Sequence, residues 1–349
     1  MSYVLILVFF FILSGSFVFK KNNSNLSITN STEIKGISAI LIVLGHCTNV
    51  SNIPNITTIN FGDTIVALFF FISGYGITIG YKNRADYLSG FLSSRIVKVM
   101  VPFLLAHIIY IPLKLLLGYS FSLDTVFESI TCKKTIVDYS WYCSVIIIMY
   151  ILFWASFKYM KTNRSRFIAL IIGVILFTVA EAAYYKEYYR YLYFSNFQFV
   201  LGVAFALFDF SKIKNYKRII IGALGIALSY SLLSATNFIL KKYSIGAEII
   251  FVNFQRSFLI ILIVSLIPIF QYNNRITTFI GKLSYEIYLY HGLFILIYTR
   301  ISIINNNFIF LFILVCLSTI CLSVVMNFAN KKVIDFILKL AAKKRQLDC

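Results

Sequence analysis

The chain has 349 residues, of which 60% are hydrophobic and only 13% are charged. A soluble domain of this length does not need so much apolar material for its core, so the composition excludes an ordinary soluble protein. The formal net charge is +19, but the basic residues are spread over many short segments, which disfavours nucleic-acid binding. We therefore expect an all-α polytopic membrane protein, because helices satisfy their own backbone hydrogen bonds in lipid.

Apolar runs long enough to cross a bilayer recur along the whole chain. They predict about eleven membrane-spanning helices. We place these helices near residues 2–19, 33–50, 63–81, 97–117, 140–159, 167–183, 192–208, 218–236, 249–270, 282–299 and 308–329. The run 2–19 lacks the basic n-region and the small-residue cleavage site of a signal peptide, so we favour a retained helix.

Lysine and arginine are concentrated in alternate loops between these predicted helices. In short loops this bias marks the cytoplasmic side of a membrane. It predicts a multi-pass protein of the cell membrane with a cytoplasmic C-terminus and an N-terminus outside. Residues 331–349 form a basic and partly amphipathic tail, which we expect to lie against anionic lipid.

A histidine lies near the end of the second predicted helix. An imidazole in a membrane helix is costly unless it has a function or a partner. His46 follows Lys35 by eleven residues, which brings the two side chains to nearly the same helix face, about 16 Å apart along the axis. One face thus carries a cation at the water boundary and a titratable base inside the membrane.

Five short segments, taken in chain order, point to a family. They are Lys35-Gly36 with His46 after a ten-residue spacer, Phe69-Phe70-Phe71-Ile72-Ser73-Gly74-Tyr75, Arg95-Ile96-Val97-Lys98 with Pro102-Phe103, Trp141-Tyr142, and Ser284-Tyr285-Glu286-Ile287-Tyr288-Leu289-Tyr290-His291. In this order they resemble the motifs of the acyltransferase 3 family of membrane acyltransferases. Lysine stands at positions 35 and 98, where arginine is commoner in the family, which keeps the charge but loses the bidentate fork.

The resemblance implies a bundle of about ten helices, with the first predicted helix as an addition. We divide the chain into an extra N-terminal membrane helix and linker at 1–32, a membrane acyltransferase domain at 33–330 and the basic cytoplasmic tail at 331–349. The implied activity is that of an O-acetyltransferase, which moves an acetyl group from cytoplasmic acetyl-CoA to a hydroxyl of a capsular or other envelope polysaccharide, or of a lipid-linked sugar.

The resemblance also suggests roles for four residues. Lys35, Arg95 and Lys98 would bind the phosphates of acetyl-CoA, whose extended arm is of the same order of length as the distance from Lys35 to His46. Alternatively, these cations only follow the positive-inside rule. His46 would act as a general base or as an acyl carrier, and the alternative is a structural histidine.

Other candidates have weaker support from the sequence. His291, Tyr288 and Ser284 share one helix face, which suits a cavity wall or a structural network. Ser73 is interpreted as a clearance or packing residue rather than a nucleophile, and Gly74 and Gly76 as small residues that let helices approach closely. The cysteines form neither a CxxC pair nor a cluster with histidine at metal-ligand spacing, so we expect no metal.

Two more residues stand out. Arg256 lies inside a predicted membrane helix, where it would contact the acceptor or pair with Glu181, Glu248 or Glu286. Trp141 lies at the outer interface, where it would stack on a sugar or belong to an ordinary aromatic belt.

The competing function is transport of a glycan or a lipid-linked sugar. A flippase also needs many helices and a few buried polar residues, but it does not need a histidine in phase with a boundary cation, and it more often shows internal repeats. A polysaccharide polymerase ranks lower, because its chemistry would require a sizeable outer loop.

Overall fold

The structure is a computed structural model. It describes residues 28–50, 61–131, 136–185, 192–208, 213–239, 245–266 and 275–347. Within these ranges the chain forms thirteen helices and no strand. They are α1 Ile28–Val50, α2 Phe61–Asn83, α3 Phe91–Leu116, α4 Leu123–Ile130, α5 Tyr142–Tyr159, α6 Asn163–Tyr185, α7 Phe197–Leu207, α8 Asn215–Ile239, α9 Ile245–Leu266, α10 Arg275–Lys282, α11 Ser284–Tyr298, α12 Ser302–Asn305 and α13 Phe308–Leu347.

Eight of the described helices are long and apolar enough to cross a membrane, namely α1, α2, α3, α5, α6, α8, α9 and α13. The predicted class, an all-α polytopic membrane protein, is confirmed. The predicted helix at 2–19 lies outside the described residues.

Two predicted membrane helices are shorter than the apolar runs suggested. In the run 192–208 only α7, with 11 residues, is α-helical. Before it, Ser195 and Asn196 are fully buried and hydrogen-bond to other segments, so the chain turns there. In the run 282–299, α11 begins only after Leu283 and has 15 residues. At 1.5 Å per residue these helices extend about 16 and 22 Å, less than the hydrocarbon core of about 30 Å.

The last helix is much longer than predicted. Helix α13 has 40 residues, or about 60 Å by rise per residue, roughly twice the hydrocarbon thickness. It contains neither glycine nor proline, so nothing in its sequence breaks the helix where the apolar part ends. The predicted basic tail therefore continues the last membrane helix as far as Leu347.

Glycines bring two pairs of helices into close contact. A Cβ atom at Gly74 of α2 would clash with the carbonyl oxygen of Phe199 in α7, and one at Gly202 of α7 would clash with that of Phe71. Helices α1 and α10 meet in the same reciprocal way, through Gly36 and Gly281. The packing role predicted for Gly74 is confirmed. The same prediction for Gly76 finds no support among the described residues, because a Cβ atom there would have none of their heavy atoms within 4 Å.

Candidate active site

A cavity of about 650 Å³ lies between α1, α2, α3, α5 and α11, and we call it the central cavity. Its wall includes Lys35, Arg95 and Lys98, the three cations selected from the sequence, together with Arg84 of the loop between α2 and α3. The structure therefore brings side chains from two helices and a loop to one cavity.

The guanidinium group of Arg95 is held by aromatic side chains. Its Nη2 atom donates a hydrogen bond of 2.8 Å to the hydroxyl oxygen of Tyr87. Its central carbon lies 5.7 Å from the ring centroid of Phe91 and 5.9 Å from that of Tyr150, which are cation–π distances. Arg95 is thus fixed in orientation beside the cavity.

The positive charges at the cavity lie close enough to interact. The charge of Arg95 acts on both Lys35 and Lys98, and that of Arg84 also acts on Lys98. Asp335, in the extension of α13, supplies an opposite charge near Lys98. Like charges in a cleft with low-dielectric walls attract anions strongly, so this end of the cavity suits a polyanionic ligand.

Aromatic and hydroxyl groups line the rest of the cavity. Phe69, Tyr142 and Tyr288 are part of its wall, as is Ser284 of the predicted polar face. The hydroxyl groups of Ser73 and Tyr150 lie 2.8 Å apart and share a hydrogen bond. Ser73 therefore lines the cavity with a phenol as its partner, in line with a clearance role and not with that of a base-activated nucleophile.

His46 and His291 lie together, outside the lining of the central cavity. Their ring centroids are 5.1 Å apart, and the ring of Tyr139 stacks on His46 at 3.8 Å and on His291 at 5.3 Å. We call these three residues the histidine cluster. The pairing of the two histidines across α1 and α11 joins two motifs that lie far apart in the sequence.

His291 is fully buried, and its two ring nitrogens differ. Nδ1 lies 3.1 Å from the carbonyl oxygen of Ile287, while Nε2 has no hydrogen-bond partner in the part of the chain that the structure describes. In a neutral ring, an Nδ1–H group that donates to this carbonyl leaves a lone pair on Nε2. A buried nitrogen with an unused lone pair is suited to accept a proton or a hydrogen bond from a bound molecule.

Sequence reasoning missed Tyr139. Its φ angle is +61°, a left-handed conformation that costs a non-glycine residue about 1–3 kcal/mol. Such backbone is retained only where the surroundings enforce it. The aromatic run from Tyr139 to Tyr142 was visible in the sequence, but nothing in it indicated the positive φ angle that presents this ring to His46.

Several contacts hold the turn of residues 136–141, which carries Tyr139. The Nζ atom of Lys114 lies 2.7 Å from Oδ1 of Asp138 in an ion pair. Gly292 leaves room for the turn, because a Cβ atom there would lie 2.8 Å from the Cβ atom of Asp138. Burial raises the pKa of Asp138, against the opposing effect of Lys114, and burial and the charge of Asp138 raise the pKa of Tyr139 to about 12.

Tyr288 links the cavity to the histidine cluster. Its hydroxyl group donates to the carbonyl oxygen of Tyr139 and accepts a hydrogen bond of 3.0 Å from the backbone N–H of Tyr142. Its ring lines the cavity on one side and lies 6.2 Å from the ring of His291 on the other. The two parts of the site therefore meet at this side chain.

The two remaining candidates do not line the cavity. Arg256 is buried, and its Nη1 atom donates a hydrogen bond of 2.7 Å to Ser195. Glu286, one of its proposed partners, instead accepts hydrogen bonds from Asn327 and Asn330 of α13. Trp141 is half-buried, and its ring packs 6.3 Å from that of Phe70. Among the described residues, no three histidine, cysteine, aspartate or glutamate side chains are placed to hold a metal ion.

Comparison with known proteins identifies a family. The family model with the description "Acyltransferase domain" matches residues 34–328, which is most of the chain. No curated protein and no solved structure matches the chain.

Proposed function

The chain belongs to the acyltransferase family whose model it matches, and within that family we propose that it is an O-acetyltransferase of the cell membrane. The donor is acetyl-CoA from the cytoplasm. The acceptor is a hydroxyl group of an envelope or capsular polysaccharide, or of a lipid-linked precursor. Lys35, Arg95 and Lys98 bind the donor, and His46 carries the chemistry.

The observation that carries this proposal is the convergence of the cations on the central cavity. A volume of about 650 Å³ lies within the usual range for small-molecule and cofactor sites. A cytoplasmic acyl donor needs cations for its phosphates and a passage for its acyl-bearing arm. The cavity offers both, with Arg84 as a fourth cation.

Acyl transfer requires a proton carrier, and His46 is suited to the task. As a general base it removes the proton of the acceptor hydroxyl, whose oxygen attacks the thioester carbonyl. The carbon–sulfur bond breaks as the carbon–oxygen bond forms, and the same proton ends on the departing thiolate. If His46 instead carries the acyl group, its imidazole nitrogen attacks the thioester carbonyl, the carbon–sulfur bond breaks, and the imidazole N–H proton passes to the departing thiolate. The acceptor hydroxyl then attacks the acyl-imidazole, the carbon–nitrogen bond breaks, and the hydroxyl proton restores the neutral imidazole.

Tyr288 stands between the cavity and the histidine cluster, so the route between them passes its ring. For a thioester to reach His46, the ring has to move away from the 136–141 turn. That movement breaks two hydrogen bonds of the Tyr288 hydroxyl group, the one it donates to the carbonyl oxygen of Tyr139 and the one it accepts from the backbone N–H of Tyr142. While the ring stays in this position, it separates a donor in the cavity from the imidazole of His46, so its movement would control the start of the transfer step.

Mass spectrometry of surface glycans tests the proposal. Cells that lack the gene should lose the mass increment of acetyl groups, and a restored wild-type copy should return it. A His46→Ala copy, expressed and inserted at the wild-type level, should not restore it. Unchanged glycan acetylation in the deletion strain, or full restoration by His46→Ala, would contradict the proposal, and loss of the glycan itself would favour transport.

A further inference from the structure

One glycine in the wall of the central cavity is not packed against any residue that the structure describes. Gly74 and Gly80 of α2 are each tightly covered, by the backbone of Phe199 and by the ring of Tyr87. Gly76 also lies in α2 and lines the cavity, but it is exposed, and a Cβ atom there would have no heavy atom of the described residues within 4 Å. Since glycine destabilises a helix relative to alanine, the helix itself does not require it.

The position of Gly76 along the cavity suggests that a bound ligand is the reason for a glycine there. It lies seven residues from Phe69 and seven from Asn83, which both line the cavity, or about 10 Å from each along the helix axis. Phe69 packs against Tyr142, toward the histidine cluster, at 6.5 Å between ring centroids. Asn83 is followed directly by Arg84, one of the four cations.

A side chain at position 76 would therefore project into the cavity between its cationic part and its aromatic part. A polyanionic head group held by Lys35, Arg84, Arg95 and Lys98 would leave the region near Gly76 for the segment that joins it to the reactive group. In a nucleotide-bearing thioester, that segment is a slender unbranched chain.

We infer that Gly76 is a donor-specificity residue, at which the chain-like arm of the acyl donor crosses α2. The inference rests on the proposed donor and goes beyond it, because it assigns the middle of the cavity to the arm and not to the nucleotide. A side chain at this position excludes the arm while leaving the site for the nucleotide intact.

Titration of the purified full-length protein with two ligands tests the inference. Acetyl-CoA carries both head and arm, whereas adenosine 3′,5′-bisphosphate carries a nucleotide head without the arm. Gly76→Leu should weaken acetyl-CoA binding by at least about tenfold, the scale expected when a filled site is overpacked, and leave bisphosphate binding unchanged. Gly76→Ala should weaken acetyl-CoA binding by only about threefold.

Gly246→Leu is the matched control. A Cβ atom at Gly246 likewise has no heavy atom within 4 Å among the described residues, but Gly246 lies at the start of α9 and outside the cavity lining. It should bind both ligands as the wild type does. Should Gly76→Leu melt at a lower temperature than Gly246→Leu, Gly76→Cys replaces it. Acetyl-CoA should then protect the introduced thiol from maleimide, and the bisphosphate should not.

The outcomes separate the inference from the proposed function. If the wild-type protein binds no acetyl-CoA, the proposed donor is wrong. If the wild type binds acetyl-CoA and Gly76→Leu binds it equally well, the inference is overturned while the donor stands. Equal weakening of both ligands, or equal protection of the Gly76→Cys thiol by both, overturns it too, because Gly76 would then adjoin the head group.

Discussion

Tyr139 shapes the surroundings of His46 more closely than any residue that a sequence motif marks. Its ring is 3.8 Å from the imidazole of His46, and its strained backbone is held by the Lys114–Asp138 ion pair and by the space at Gly292. Misplacement of a catalytic group by about 1 Å can reduce a rate a hundredfold. We therefore regard Tyr139 as a positioning residue.

Two substitutions of Tyr139 should distinguish the contribution of its ring to acyl transfer from that of its hydroxyl group. Tyr139→Phe keeps the stacked ring and should retain transfer within about threefold, whereas Tyr139→Ala should lose about tenfold or more in kcat. Acetyl-CoA binding should be the same in both variants, because the residue lies outside the cavity lining. Equal activity of Tyr139→Ala and wild type in a purified transfer assay would refute the positioning role.

Asp138 gives the turn a pH dependence. Its pKa is raised by burial, so the folded protein binds this proton more readily than the unfolded chain does. Its contribution to stability is therefore greatest below the ordinary pKa of 3.8 and declines as the pH rises through the higher pKa of the folded state. Asp138→Asn does not titrate, so the melting temperature of the wild type relative to this variant should fall with rising pH in that window. A relative rise would show that the ion pair with Lys114 outweighs burial.

Some residues of the candidate site could be predicted from the sequence, and others could not. The phase of Lys35 and His46 along α1, and the basic pair in α3, were readable because both depend on helix periodicity and charge alone. Tyr139 was not, since a positive φ angle at tyrosine depends on the neighbouring chain. The pairing of His46 with His291 arises only when α1 and α11 pack together.

At the level of the elements, the contact of α1 with α10 positions the helix that carries both Lys35 and His46. Gly36 should therefore tolerate no side chain, because a Cβ atom would collide with the backbone of Thr277, which cannot turn aside. Gly36→Ala should lower the free energy of unfolding by about 1–3 kcal/mol and reduce transfer.

Gly246→Ala is the control for this change, because its Cβ atom meets none of the described residues and the helix gains a better helix former. The two variants should differ in melting temperature in the same detergent. If Gly36→Ala is as stable and active as Gly246→Ala, α1 and α10 are not packed as described.

The length of an apolar run predicts that a helix exists, but it does not always predict where that helix begins and ends. The runs that became α3, α6 and α9 were recognisable because a bilayer requires about 20 apolar residues. The run 192–208 is also largely apolar, but buried hydrogen bonds of Ser195 and Asn196 interrupt its helix. Gly74 and Gly76 look alike in sequence, and only the neighbouring helix distinguishes a packed glycine from an open one.

On the scale of the whole molecule, the proposal requires the cations to face the cytoplasm and the 136–141 turn to face outward. Single cysteines at Asp86 and Lys214 should react with an impermeant maleimide only after the inner face is opened. A cysteine at Ser120, beyond the far end of α3, should react in intact cells. The reverse pattern would invert the protein and place the donor site on the wrong side.

The central claim is that the cavity binds acetyl-CoA through its cations while His46 performs the transfer. Calorimetric titration of the purified protein with acetyl-CoA tests it most directly. Lys98→Gln should bind about tenfold more weakly than wild type, since a charge-assisted contact is lost. Lys35→Arg should bind normally because its charge remains, and Asp335→Asn should bind more tightly because it removes the opposing charge near Lys98. His46→Ala should bind within about twofold of wild type and transfer nothing.

Two results of this titration would contradict the account. One is the absence of acetyl-CoA binding by the folded wild-type protein. The other is an affinity for acetyl-CoA that does not change when Lys35, Arg95 and Lys98 are all neutralised.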